Sequence, residues 1–112
     1  MKESGRPTGP RGVDPSSRWD VAREAYDLLT AQLGYSELLA ADGDDPGHLA
    51  MDRLEIDQAR RQLDDLVGAA VRAGSVTASE AARLHGTDLE SARAVAREIL
   101  ASEAPPWARG GS

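Results

Sequence analysis

Apolar residues recur at three- and four-residue intervals along most of the chain, which is the spacing of one face of an α-helix. The first such stripe predicts a helix that Ser17 caps and that Gly34 ends. A short helical turn over residues 36–41 is expected to follow. The residues predicted on the buried face of the first helix are Trp19, Ala22, Tyr26, Leu29 and Leu33.

The second and longest predicted helix covers residues 47–73, after a loop over residues 41–47 that is rich in Asp and Gly. Gly74 is its predicted end. Its apolar seam is nearly heptad in spacing, which favours either the spine of a monomeric bundle or a homodimer through this helix. The apolar face comprises Leu54, Ile56, Ala59, Leu63, Leu66, Val67, Ala70 and Val71.

Two capping boxes, at residues 77–80 and 87–90, mark the starts of two further helices. The first of these helices is short and ends near His85, and the second ends near Ser102. No stretch alternates apolar and polar residues as a half-buried strand would. The sequence therefore predicts an all-α bundle of four or five helices over residues 17–103. The inward residues of the last helix are Leu89, Ala92, Val95, Ala96, Ile99 and Leu100.

Both ends of the chain are rich in Gly and Pro and poor in apolar residues. We expect residues 1–16 and 104–112 to be disordered, because they bury too little surface to offset the entropy of ordering. The first arm is basic, and such arms can enter the minor groove of DNA. Trp107 lies in the second, where an aromatic side chain can anchor a partner.

The composition excludes several functional classes. The chain of 112 residues has no Cys, which excludes disulfides, thiolate catalysis and Cys-ligated metal sites. No apolar run is long enough to span a bilayer and the N-terminus lacks the apolar segment of a signal peptide, so we expect a cytoplasmic protein. No nucleophile elbow, phosphate-binding loop or carboxylate pair stands out. We therefore predict no enzyme activity and no cofactor.

Three clustered acids, Asp42, Asp44 and Asp45, resemble the start of a calcium-binding loop. The fifth and twelfth positions of such a loop would then fall on Pro46 and Arg53, which cannot supply the expected oxygen ligands. The two histidines of the chain fit no zinc-ligand spacing. We therefore predict no metal site.

Residues 76–100, VTASEAARLHGTDLESARAVAREIL, have the outline of a helix-turn-helix: a short capped helix, a turn with glycine, and a second capped helix. Ala82 is the small residue at which the two helices are expected to approach closely. Gly86, four residues on, is expected to adopt a positive φ in the turn. Ala92 and Val95 are placed where the second helix packs back on the first.

This segment resembles small helix-turn-helix proteins of GC-rich actinobacteria, in which a helix of the type LDDLVGAAVRAG, residues 63–74 here, precedes the two-helix unit. The resemblance covers about residues 60–100. It implies a bacterial DNA-binding transcription regulator that acts as a dimer and lays its last helix into the major groove. It places Gly86 in the turn and the DNA-binding residues at Asp88, Leu89, Glu90, Arg93, Ala94 and Arg97.

The charge of the chain favours an alternative function. The formal net charge is −6, and residues 75–103 contain three bases against five acids. Binding to phosphates needs clustered cations, whereas Asp88 and Glu90 stand at the end of the helix that would approach the bases. The alternative is an acidic helical module that binds a protein partner, such as a sigma factor, a toxin or a basic regulator, without contacting DNA.

Overall fold

The computed structural model describes residues 13–41, 46–86 and 88–103, and it confirms the all-α class. Its helices are α1 (Arg18–Ala41), α2 (Pro46–Ala73), α3 (Ala78–Leu84) and α4 (Leu89–Ser102). Within these described ranges there is no strand, and no helix has the length and apolar character needed to cross a membrane. The disorder predicted for residues 1–12 and 104–112 falls outside the described part of the chain.

The central helix is α1, which packs against α2 and against α4, while α2 and α4 hardly touch each other. The sequence left two roles open for the second helix, the spine of a monomeric bundle or the contact of a homodimer, and the structure places α1 rather than α2 at the centre of the bundle. The difference follows from the wide buried face of α1, which a helix with two neighbours requires. Trp19, Tyr26 and Leu33 of the predicted stripe are only half-buried. The buried face comprises Val21, Ala22, Glu24, Ala25, Leu28, Leu29 and Gln32.

Gly34 does not end α1, contrary to the prediction. The helix continues to Ala41, so the helical turn predicted for residues 36–41 is its last part. A glycine inside a helix costs about 1 kcal/mol relative to alanine. Packing against α2 offsets this cost, since Tyr35 is half-buried and lines a cleft shared with Glu55 and Gln58 of α2.

Gly74 ends α2 as predicted. Its φ of +83° lies in the left-handed region that glycine adopts without steric cost. The Gly74 N–H donates to the Val71 carbonyl at 3.1 Å, and the Ser75 N–H donates to the Ala70 carbonyl at 3.0 Å. This is a Schellman motif, which satisfies carbonyls that the end of a helix leaves without partners.

The buried face of α2 is shorter than the predicted one. Leu54 and Val71, both expected to point inward, are 51 % and 38 % exposed. The buried residues of α2 that match the prediction are Ala59, Leu63, Leu66, Val67 and Ala70.

In α4 the predicted inward face is confirmed, since Leu89 and Leu100 pack partly against the core and the other four predicted residues are buried.

The structure describes part of the segment that was predicted to be disordered. Residues 13–16 were expected to belong to a disordered arm, yet Val13 packs against the core. The Ser75 hydroxyl donates to the Pro15 carbonyl at 2.6 Å. This segment therefore lies beside the turn that follows α2.

Arg18 joins the start of α1 to α3 and to the end of α4. Its guanidinium donates to both carboxylate oxygens of Glu80, at 2.7 and 2.6 Å, and to the Ser75 carbonyl at 3.0 Å. It also lies 3.3 Å from a carboxylate oxygen of Glu103. Glu80 closes the predicted capping box with Thr77 as well. The hydrogen bonds from Arg18, with those from Thr77, lower the pKa of Glu80 to about 2.

Candidate functional site: the α3–α4 pair and the end of the α1–α2 hairpin

The connection between α3 and α4 differs from the predicted turn. Gly86 does not have the predicted positive φ. Among the described residues, the glycine with a positive φ is Gly74. A Cβ at Gly86 would instead lie 3.2 Å from the Arg83 carbonyl oxygen, so glycine permits a close backbone approach. Ala82 is exposed rather than enclosed between the helices, and its neighbour Ala81 is buried.

Asp88 is the N-cap of α4, so the second capping box does not begin at Thr87 as predicted. Its carboxylate accepts hydrogen bonds from the N–H groups of Glu90 and Ser91, at 3.1 and 3.3 Å, and from the Ser91 hydroxyl at 2.8 Å. These bonds, foremost those from Ser91, hold the pKa of Asp88 below its ordinary value. Thr87 itself lies outside the described residues. Asp88 thus has a structural role at the start of the helix.

Arg93, one of the two predicted DNA-binding arginines, faces α1. Its guanidinium lies 5.6 Å from the centre of the Tyr26 ring, and its terminal nitrogens contact Thr30 at 3.4 Å and Glu90 at 3.1 Å. Its side chain is 22 % exposed. Arg97 lies 6.0 Å from the same ring, but it is exposed. Tyr26 therefore holds both arginines close to α1 through cation–π contacts.

The structure does not bring the six predicted DNA-binding residues together on one exposed surface. Asp88 caps the helix, Leu89 packs partly against the core, and Arg93 is turned toward α1. The remaining three are exposed. They are one acid, one small apolar residue and one base: Glu90, Ala94 and Arg97.

A second surface, at the end of the α1–α2 hairpin, was not identified from the sequence. Leu38 is 48 % exposed, Met51 is 60 % exposed and Leu54 is 51 % exposed. Met51 and Leu54 are three residues apart in α2 and so lie on one face. Tyr35 and Glu55 line the same cleft between the two antiparallel helices, which places Leu38 and Met51 at about the same level of the hairpin.

Negative charge is concentrated in the same part of the sequence. Between Glu37 and Asp57 the chain has seven acids and one base, Arg53. The rest of the chain has twelve acids and twelve bases. The net charge of −6 therefore belongs to this stretch alone. A count of charge along the whole chain would have found this stretch, whereas the prediction considered only the N-terminal arm and residues 75–103.

His85 follows α3, and its Nδ1 lies 2.9 Å from a carboxylate oxygen of Asp64 in α2. Across the described ranges, no group of three or more His, Cys, Asp or Glu residues is arranged to hold a metal ion. The three clustered acids, Asp42, Asp44 and Asp45, lie outside those ranges.

The chain matches no family model, no curated protein and no solved structure. The resemblance of residues 60–100 to actinobacterial helix-turn-helix proteins therefore stays a prediction from the sequence pattern. The function has to be inferred from the residues and surfaces described above.

Proposed function

We propose that this protein is a helical interaction module and that the end of its α1–α2 hairpin binds a basic amphipathic helix of a partner protein. We call this region the hairpin surface and define it by Glu37, Leu38, Met51, Leu54 and Glu55. Two features that occur together carry the proposal. The most exposed large apolar side chains of the described residues lie in the same stretch of the sequence as the whole net charge of the chain.

The apolar part of the hairpin surface would supply most of the affinity. Single exposed apolar residues are common on proteins, but grouped ones mark interaction sites. Leu38, Met51 and Leu54 can accept anchor residues spaced three and four apart on a partner helix. Met51 adds adaptability, because its unbranched side chain adjusts to differently shaped partners.

The acidic part would select the partner. Glu37 is exposed and Glu55 half-exposed, next to the apolar residues. Carboxylates at the rim of an interface attract basic partners and repel acidic ones, and they act mainly on specificity and on the rate of association. A partner helix with an apolar face and flanking Lys or Arg matches both parts. DNA, which is polyanionic, does not match this surface.

A pair of designed peptides tests this proposal. Each has roughly 18 residues, five helical turns, and the same leucine face, with the other positions Lys in one peptide and Glu in the other. We expect the Leu/Lys peptide to bind and the Leu/Glu peptide not to bind in fluorescence anisotropy at physiological salt. The double variant Met51→Ser/Leu54→Ser should weaken binding at least about tenfold, because it removes two apolar anchors.

Val71→Ser is the matched control. It removes an exposed apolar residue from the same helix but outside the hairpin surface, so the affinity should stay within about twofold of the wild type. Equal losses in both variants, or no binding of the Leu/Lys peptide, would refute the proposal. Self-association that depends on Met51 and Leu54, measured by sedimentation, would show that a second copy occupies the surface instead.

DNA binding through α4 is the second candidate function. Its support is the capped α3–α4 pair with its close connection at Gly86, together with an exposed arginine, Arg97. Arg93 is the poorer probe of this function, because its side chain is only 22 % exposed and also contacts Thr30 and Glu90, whereas Arg97 is exposed. In this interpretation the protein regulates transcription and Arg97 contacts the DNA backbone.

The DNA-binding hypothesis predicts that Arg97→Glu weakens binding to a pool of GC-rich duplexes at least about tenfold at low salt, since the variant replaces attraction to phosphate by repulsion. Arg61→Glu makes the same charge change on α2 and should leave binding nearly unchanged. The measurement is fluorescence anisotropy over a range of salt concentrations. If the wild type fails to bind even at low salt, direct DNA recognition is excluded.

A further inference from the structure

A cavity of about 260 Å³ lies between α1, α2 and the connection from α3 to α4. This volume is just below the range of about 300–1,000 Å³ typical of pockets for drug-sized ligands, so only a smaller molecule would fit. Five apolar and five polar side chains line it, together with Gly86. The apolar residues that line it are Leu29, Ile56, Leu63, Leu84 and Leu89.

Gln32 lines this cavity and differs from an ordinary polar lining residue because its side chain is buried. It is 2 % exposed, lies on the buried face of α1, and its Nε2 has no hydrogen-bond partner. A buried amide donor without an acceptor has a free-energy cost, because it has lost its hydrogen bonds to water. Valine or leucine at this position would avoid that cost. Nε2 itself has almost no accessible surface, so a rotation of the Gln32 side chain toward the cavity would bring it to an acceptor oxygen of a molecule there and remove this cost.

One cationic side chain of the lining, Arg60, can pair with an anion that supplies this oxygen. Arg60 of α2 lines the cavity and is exposed, so it stands on the solvent side. Asp64, the one carboxylate in the lining, lies 2.9 Å from Nδ1 of the His85 imidazole. Arg60 is the guanidinium in the lining, and guanidinium groups bind carboxylates strongly.

We infer that this cavity is a binding site for a small monocarboxylic acid with a compact apolar body. The body fills the space between the leucine side chains, and the carboxylate accepts a hydrogen bond from Gln32 Nε2 and interacts with Arg60. The site is separate from the hairpin surface and from the exposed side of α4. Because Leu84, Gly86 and Leu89 belong to its wall, a bound acid would contact the connection between α3 and α4.

Benzoate is the first probe, with benzamide as its uncharged counterpart. In NMR spectra of the ¹⁵N-labelled full chain, benzoate should shift the Gln32 side-chain amide signals in a saturable way, and benzamide should bind at least about tenfold more weakly. Arg60→Ala should weaken benzoate binding roughly tenfold. Gln32→Leu, an apolar replacement of similar size, should abolish binding while the protein stays folded, as judged by circular dichroism.

Arg61→Ala is the control, because Arg61 is also exposed on α2 but does not line the cavity. It should leave the affinity unchanged. Equal binding of benzamide would overturn the assignment of an anion. Equal losses in Arg60→Ala and Arg61→Ala, or no shift of the Gln32 amide well into the millimolar range, would overturn the site. Should Gln32→Leu unfold the chain, the comparison of the two arginine variants still decides the outcome.

Discussion

Leu66→Ala is expected to lower the free energy of unfolding by about 3 kcal/mol, within the range of about 2–5 kcal/mol for buried leucines. Leu66 is 0 % exposed and belongs to the core that α1 and α2 share. Its loss removes apolar contacts and leaves a cavity that well-packed neighbours fill only in part. Urea denaturation of the wild type and the variant measures the difference, and we expect the same m-value, the slope of unfolding free energy against urea concentration, for both.

Leu54→Ala, in the same helix, is the matched control. Leu54 belonged to the same predicted seam, but it is half-exposed in the structure. Its replacement should change the stability by less than about 0.5 kcal/mol. A loss as large as that of Leu66→Ala would show that Leu54 is buried in solution, as a homodimer through α2 would require.

Glu80→Gln is expected to cost about 2 kcal/mol at neutral pH and progressively less as the pH falls. Glu80 accepts two charge-assisted hydrogen bonds from Arg18, and its side chain is 16 % exposed. The variant removes the charge but keeps a side chain that can still close the capping box. The difference in unfolding free energy between wild type and variant, measured in urea across the pH range, tests both expectations.

The direction of the pH effect follows from the pKa of Glu80. That pKa is about 2 in the folded protein, against 4.5 as the ordinary value. The ion pair therefore contributes its full stability above about pH 5, and this contribution is lost as the pH falls toward 2. Asp27→Asn is the control, because its pair with Arg23 is exposed and 3.7 Å long and should contribute less than about 0.5 kcal/mol. Equal, pH-independent losses in both variants would contradict the assigned role of Arg18 and Glu80.

The helical class and most of the buried positions could be predicted because local patterns determine them. The capping box at Thr77 and the glycine end of α2 depend on residues a few positions apart, and both are confirmed. The prediction that Gly34 ends α1 was wrong, because the cost of one glycine inside a helix is smaller than the stabilisation that packing of the whole helix provides. The prediction that Ala82 lies at the close approach of α3 and α4 was wrong, because residue type alone does not show which of the neighbouring alanines, Ala81 or Ala82, is buried.

The candidate sites were harder to predict, because they depend on contacts between distant parts of the chain. Nothing near Arg93 in the sequence shows that Tyr26 lies under it. Nor does the pattern reveal that Gln32, placed among apolar residues of α1, meets a cavity whose wall is built partly from α3 and α4. Such properties arise only when the three long helices are brought together.

The uneven distribution of acids along the sequence bears on how fast the proposed partner would bind. All of the net charge belongs to the stretch from Glu37 to Asp57, while the rest of the chain is neutral overall. Under the proposed function, the field of a cationic partner would turn this acidic stretch toward the partner before contact, so that the hairpin surface arrives first. Encounters then become productive more often than random collisions, and salt slows association by screening this orientation.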